Sequence, residues 1–295
     1  MKKAYYQLHL AVILAGLTGI LGRLITLDAG VLVWYRLMFT AITMWALFSF
    51  GKKIHQVPFS QKLKIIGVGV LASSHWLFFY ASIKYSNVSV SLVCFSLVSF
   101  FTALLEPVLI KKKLDKIELL LGLLTLLGVY VIFQFDAQYK LGIALGVISA
   151  LLAAIFPIFN RELLKDTNVE SLLAWQQTGG FLFISLLLPF YHQFIGIHTL
   201  MPDLNNFLWL LVLSWVCSVW AFQLSAGALK KLSAFTVNLT FSLEPVYGIL
   251  LAFAVYREDQ FLSKWFFIGF AIIILALLAH VYLLFGNRNN TKTPV

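Results

Sequence analysis

The 295-residue sequence predicts an all-α polytopic membrane protein, with ten transmembrane helices arranged as two inverted five-helix repeats. Three observations predict it. Hydrophobic residues make up 61% of the chain and charged residues only 12%, where soluble domains average about half and about a quarter. Ten apolar stretches reach the ~20 residues that a helix needs to cross a bilayer. Basic residues gather on alternate connections between those stretches. The mean hydropathy of +0.91 excludes a soluble globular domain, and disorder still more firmly. Cys94 and Cys217 lie in apolar runs, where cysteine behaves as a small hydrophobe, so a disulfide scaffold is excluded.

The spans fall at 8–27, 30–50, 63–83, 89–110, 117–135, 141–160, 170–191, 207–227, 234–256 and 262–285. The first follows Lys2 and Lys3 as a secretory signal would. No small-x-small cleavage site follows and a second span begins almost at once, so the expectation is an uncleaved helix. The second span carries Trp34-Tyr35-Arg36, and the third carries His75-Trp76 with Tyr80 one turn on. The fourth ends in Glu106-Pro107 ahead of Lys111, Lys112 and Lys113. The sixth has Gly142, Gly146, Ala150 and Ala154 at four-residue spacing, a ridge suited to helix packing. The seventh holds Trp175-Gln176-Gln177, the eighth Trp220, and the ninth Asn238, Glu244-Pro245 and Tyr247. Connections are short, the longest at 51–62 and 192–206. The expected division is a first repeat at 1–138, a second at 139–286 and a polar cytoplasmic tail at 287–295.

The net charge of +10 would suggest nucleic acid in a soluble protein. Here it is read as topology, with no nucleic-acid partner. With the N-terminus inside, inner segments hold 16 Lys and Arg, outer segments hold 5, and Arg36 lies within a span. The positive-inside rule then places both termini in the cytoplasm.

A local repeat supports the division. Lys84 and Phe95-Ser96-Leu97 recur 146 residues later as Lys230 and Phe241-Ser242-Leu243. Five spans is an odd number, so the second copy must be inverted. This register places Val98-Ser99 opposite Glu244-Pro245, so the two Glu-Pro pairs are not equivalent. Glu106 lies eight residues further along its helix, or ~12 Å at the helical rise. Inverted repeats of this kind build secondary transporters, with the substrate near the midplane.

Ten spans, a five-plus-five repeat, Leu243-Glu244-Pro245-Val246-Tyr247-Gly248, Glu258 near the outer end of that span and Gly269 in the next resemble the drug/metabolite transporter superfamily, specifically its EamA-type members. The first half departs from the family pattern at Phe100 and Lys113. The resemblance implies an inner-membrane permease whose central cavity is lined by the first four spans of each half. The fifth and tenth would lie outside it.

All six aspartates fall in loops or at span ends. Glu106, Glu244 and Arg36 lie within spans, where a charge costs about 3 kcal/mol and tends to face a cavity or a partner. A carboxyl in a dry site can take up and release a proton, so Glu244 is the foremost candidate for coupling. Its alternative is a structural residue beside a bend at Pro245. Arg36 reads as an anion-binding or gating residue, or as a side chain snorkelling outward. Glu106 reads as a cytoplasmic gate beside Lys111–Lys113, with Pro107 distorting its helix. His75, Trp76, Tyr80, Gln176, Gln177, Trp220, Asn238 and Tyr247 form a candidate lining, each with packing as its alternative. No phosphate-binding loop, zinc-protease helix or nucleophile elbow occurs, and no cofactor or metal is expected.

The expected function is secondary active transport of a small organic solute by alternating access, with proton-coupled export preferred. The alternatives are an uncoupled facilitator and, in another class, a lipid-handling or polyprenyl-phosphate-processing membrane enzyme. Expected partners are the solute, the lipid bilayer and protons; a monomer and a homodimer both remain open.

Overall fold

The computed structural model describes residues 2–111, 113–135, 137–196, 199–229, 231–232 and 240–290. These residues are helical and form a multi-pass bundle. The helices are α1 (Lys2–Leu24), α2 (Ala29–Phe50), α3 (Phe59–Tyr85), α4 (Val88–Phe95), α5 (Val98–Ile110), α6 (Lys116–Phe135), α7 (Lys140–Leu163) and α8 (Val169–Ile195). They continue as α9 (Leu204–Leu211), a π-helical stretch (Val212–Trp220), α10 (Ala221–Leu229), α11 (Glu244–Tyr256) and α12 (Lys264–Asn290). Among the described residues, several spans are interrupted. The fourth is α4 and α5 joined at Ser96–Leu97, and the eighth is α9, the π stretch and α10. The first helix begins at Lys2 rather than residue 8, because its polar first turns continue the helix beyond the apolar segment.

The halves pack as exchanged copies. In the first half's third span, α3 lies against α7 and α8; the eighth span lies against α1 and α2. Likewise α4 and α5 pack on α7, while α11 packs on α1. The pairs α2 with α8 and α6 with α12 are carried onto themselves by the exchange. The register is equally repetitive. Helices α5 and α11 each have 13 residues and end on a left-handed residue, Lys111 (φ 54°) and Arg257 (φ 53°). Those residues are 146 apart, the offset that relates the two Phe-Ser-Leu triplets.

Small residues let the helices cross closely. A side chain at Gly16 of α1 would place its Cβ 2.9 Å from the Gly248 nitrogen of α11. The expected ridge on α7 is a packing face: a Cβ at Gly146 would sit 2.7 Å from Cys94 Cβ. At the periphery α6 pairs with α12 across Gly128 and Gly269, outside the central group of helices.

One face of the bundle is tightly closed. There the buried Glu258 carboxylate accepts from Val88 N (3.1 Å), Ser89 N (2.8 Å) and Ser89 Oγ (2.5 Å) at the start of α4, and pairs with Arg23 at the end of α1. Arg23 also lies 4.4 Å above the Tyr256 ring, and the Tyr256 hydroxyl donates to the Ile20 carbonyl at 2.9 Å. On the same face Lys84 Nζ donates to the Ile25 carbonyl, and Asn206 Nδ2 to Thr26 Oγ1. Glu258 thus ties the second repeat to the first.

Candidate functional site

The site starts from Arg36, about two turns into α2. Its side chain is buried, 4% exposed, so snorkelling is excluded as its resting place. Nη1 donates to the Tyr80 hydroxyl at 2.7 Å and Nε donates to Ser218 Oγ at 3.1 Å. The guanidinium carbon lies 4.3 Å over the Trp76 ring, a desolvated cation–π contact of about 2 kcal/mol. Trp76 and Tyr80 share a face of α3 because they are four residues apart. Ser218 comes from the other repeat, on the π stretch. Its hydroxyl donates onward to the Leu213 carbonyl at 3.1 Å, and Ser214 Oγ reaches the Arg36 carbonyl at 3.4 Å. A wide helical turn of this kind is frequent at functional sites, and here it aims two serines at one arginine.

Glu244 stands close by. It is the first residue of α11, immediately after the turn at Ser242–Leu243, and it is partly exposed. It makes no hydrogen bond or ion pair among the described residues, yet its charge and that of Arg36 act on each other, and both act on Tyr80. Pro245 corrects the expectation of a bend within a helix. It occupies the first turn of α11, where the missing N–H is unneeded, and the helix is broken before it. The equivalent break in the first repeat, at Ser96–Leu97, has Ser99 in the proline's place, so the break does not depend on proline. Pro107 lies inside α5, which continues past it to Ile110.

His75 borders the cluster and is engaged elsewhere. Its Nδ1 lies 2.8 Å from Ser149 Oγ on α7, and its ring stacks on Phe95 at 5.4 Å. Gln176 and Gln177 of α8 form a separate polar layer. Asn160 Nδ2 donates to Gln176 Oε1 at 3.2 Å, while Gln177 Oε1, Asn160 Oδ1 and Thr40 Oγ1 are buried without a partner. No hydrogen bond joins this layer to Arg36 among the described residues. Tyr247 is drawn away to α1, its hydroxyl 3.1 Å from His9 Nδ1. Trp220 is 46% exposed and departs from the expected lining, because it lies two residues beyond Ser218 and turns to the opposite flank. Asn238 lies outside the described residues. Glu106 pairs with Arg161 of α7 at 3.1 Å and borders a cleft of about 110 Å³ with Pro107, Lys113, Asp115 and Glu118.

Ser218, Ser149 and Asn160 were not singled out from the sequence. Serine is common in apolar helices, and the only available signal was the four-residue spacing of Ser214 and Ser218.

Comparisons with known proteins agree with this architecture. A solved structure described as "Crystal structure of protein" superposes with a TM-score of 0.64 at 14% identity, over 96% of this chain and 98% of that one; at this identity the likeness concerns the fold alone. An "Uncharacterized transporter" of Haemophilus influenzae (strain ATCC 51907 / DSM 11121 / KW20 / Rd) is 30% identical over 163 residues, 52% of this chain and 53% of the relative, so the match spans about half the relative's length. The "Uncharacterized transporter YxxF" of Bacillus subtilis (strain 168) is 25% identical over 224 residues, 73% of this chain and 70% of that protein. The family model described as "EamA-like transporter family" matches residues 2–134 and again 140–280. With both halves matched and a membrane bundle built from exchanged copies, the chain belongs to the EamA-like transporter family.

Proposed function

We propose that this chain is a secondary transporter of the inner membrane that moves a small organic solute by alternating access, exporting it in exchange for protons, with Glu244 as the proton carrier. The observation that carries the reading is that Arg36, Trp76 and Tyr80 of one repeat meet Ser218 of the other, within charge reach of Glu244. A site shared by two halves is remade each time the halves rock against one another. Glu244 suits the coupling role because it is partly exposed and makes no bond that proton uptake would have to break. The basic bias of alternate connections supports cytoplasmic termini, which puts the face sealed by Glu258 outside. An inward-open or occluded arrangement follows, with the solute loading from the cytoplasm.

Uptake and counterflow in proteoliposomes, against a metabolite panel, test this. Wild type is expected to accumulate at least one solute under an imposed pH gradient. Glu244→Gln keeps the side chain's shape and is expected to lose accumulation while retaining exchange down a solute gradient. Accumulation with unchanged pH dependence in Glu244→Gln would favour another carrier, and gradient-independent flux in wild type would favour a facilitator.

A further inference from the structure

We infer that the solute carries a carboxylate and that Arg36 receives it, with the Tyr80 hydroxyl as second donor. This rests on the reading of the Arg36 cluster as the transport site. The argument begins with charge. Apart from Arg36, every lysine and arginine of the described helices lies in a terminal turn or, for the exposed Lys64, in the second turn of α3. Arg23 and Arg161 each have a carboxylate partner. Arg36 is more deeply buried than either and has none among the described residues, where its partners are two hydroxyls and the face of an indole. A buried cation without an anion is costly to keep, and neutral partners offset only part of the cost.

The donors that remain are positioned for an oxyanion. Ser218 holds Nε and Tyr80 holds one N–H of Nη1, which fixes the plane of the guanidinium. Nη2 has no partner among the described residues. The Tyr80 hydroxyl accepts from Arg36, and among the described residues no acceptor takes its own proton. The free edge of Arg36 and the Tyr80 O–H therefore form a short row of donors that no described residue accepts from. A guanidinium edge matches a carboxylate in two parallel hydrogen bonds. Among the described residues Glu244 makes no hydrogen bond or ion pair with Arg36, so none of them closes the row to an incoming acid. A single arginine with no second cation in the cluster fits a monoanionic carboxylate better than a dianionic phosphate ester.

The test uses the full chain, purified in detergent, and matched acid and amide probes: butyrate and butyramide, benzoate and benzamide, 3-phenylpropionate and 3-phenylpropionamide. Binding is read as a concentration-dependent rise in Tm. At least one acid is expected to bind tenfold or more tightly than its amide. Arg36→Gln is expected to remove that preference, Arg36→Lys to weaken the acid about tenfold, and Tyr80→Phe, a mild change that guards against misfolding of the arginine variants, to weaken it several-fold. Equal binding of acids and amides, tighter binding of phenyl phosphate than of any acid, or an acid preference that persists in Arg36→Gln would overturn the inference. Counterflow in vesicles separates it from the reading beneath it. Acid binding without flux would refute the transport site and keep the carboxylate. Flux of neutral or cationic solutes that is lost in Arg36→Gln, with no binding of acids, would do the reverse.

Discussion

Arg36 and Glu258 show how two buried charges in one membrane protein are treated differently. Glu258 is satisfied four ways, by two backbone N–H groups, a hydroxyl and Arg23. Arg36 is held by neutral groups that fix its direction, with no carboxylate in ion-pair contact among the described residues. Full satisfaction suits a structural clasp, whereas incomplete satisfaction suits a binding group. A smaller residue-scale effect lies at Lys111, the left-handed end of α5. A left-handed residue with a side chain costs about 1–2 kcal/mol, so Lys111→Gly is expected to raise stability by up to about 1 kcal/mol, read as a small rise in Tm. An unchanged or lowered Tm would show that the Lys111 side chain compensates the strain. The deep ionisable residues were legible in the sequence because charge within an apolar span is conspicuous. Ser218 and Ser149 were not, since serine in such spans is ordinary, and Glu258 reads from sequence as a loop residue at a span end.

At the scale of elements, the breaks and the π stretch do the positioning. Helix α11 starts at Glu244 in mid-span, and the π stretch turns Ser214 and Ser218 toward α2. The break before Glu244 was legible as a distortion expected at Pro245; the break at Ser96–Leu97 and the π stretch were not. The break at Ser96–Leu97 carries no proline or glycine, and a π turn has no sequence signature in an apolar run. The helices themselves were legible because hydrophobic length sets them, and the 146-residue offset was legible from Phe-Ser-Leu because both repeats keep the turn there. The clasp at Glu258 joins the end of α11 to the start of α4 and the end of α1. Glu258→Gln keeps the size and one acceptor oxygen but loses the charge that holds Arg23. It is expected to loosen that face, so that the native, buried Cys94 on α4 reacts several-fold faster with a membrane-impermeant maleimide added from outside. Labelling as slow as in wild type would mean that the clasp does not hold the face shut.

For the whole molecule, the exchange of halves is the organising fact. The contacts of α3 with α7 and α8 are repeated by the eighth span with α1 and α2, and the site lies where the halves meet. The account's orientation follows from the basic bias: a cysteine introduced at Asp203 is expected to be labelled from outside and one at Lys165 is not, and the opposite pattern would invert every statement about inside and outside. The central claim is that one site, shared by the repeats, is reached from each face in turn. Ser218→Cys in a chain carrying Cys94→Ala and Cys217→Ala tests it most directly, with a charged methanethiosulfonate reagent applied separately to right-side-out and inside-out vesicles. The account predicts reaction from both sides, with rates shifted in opposite directions by an imposed solute gradient; reaction from one side only, under every gradient, would contradict it.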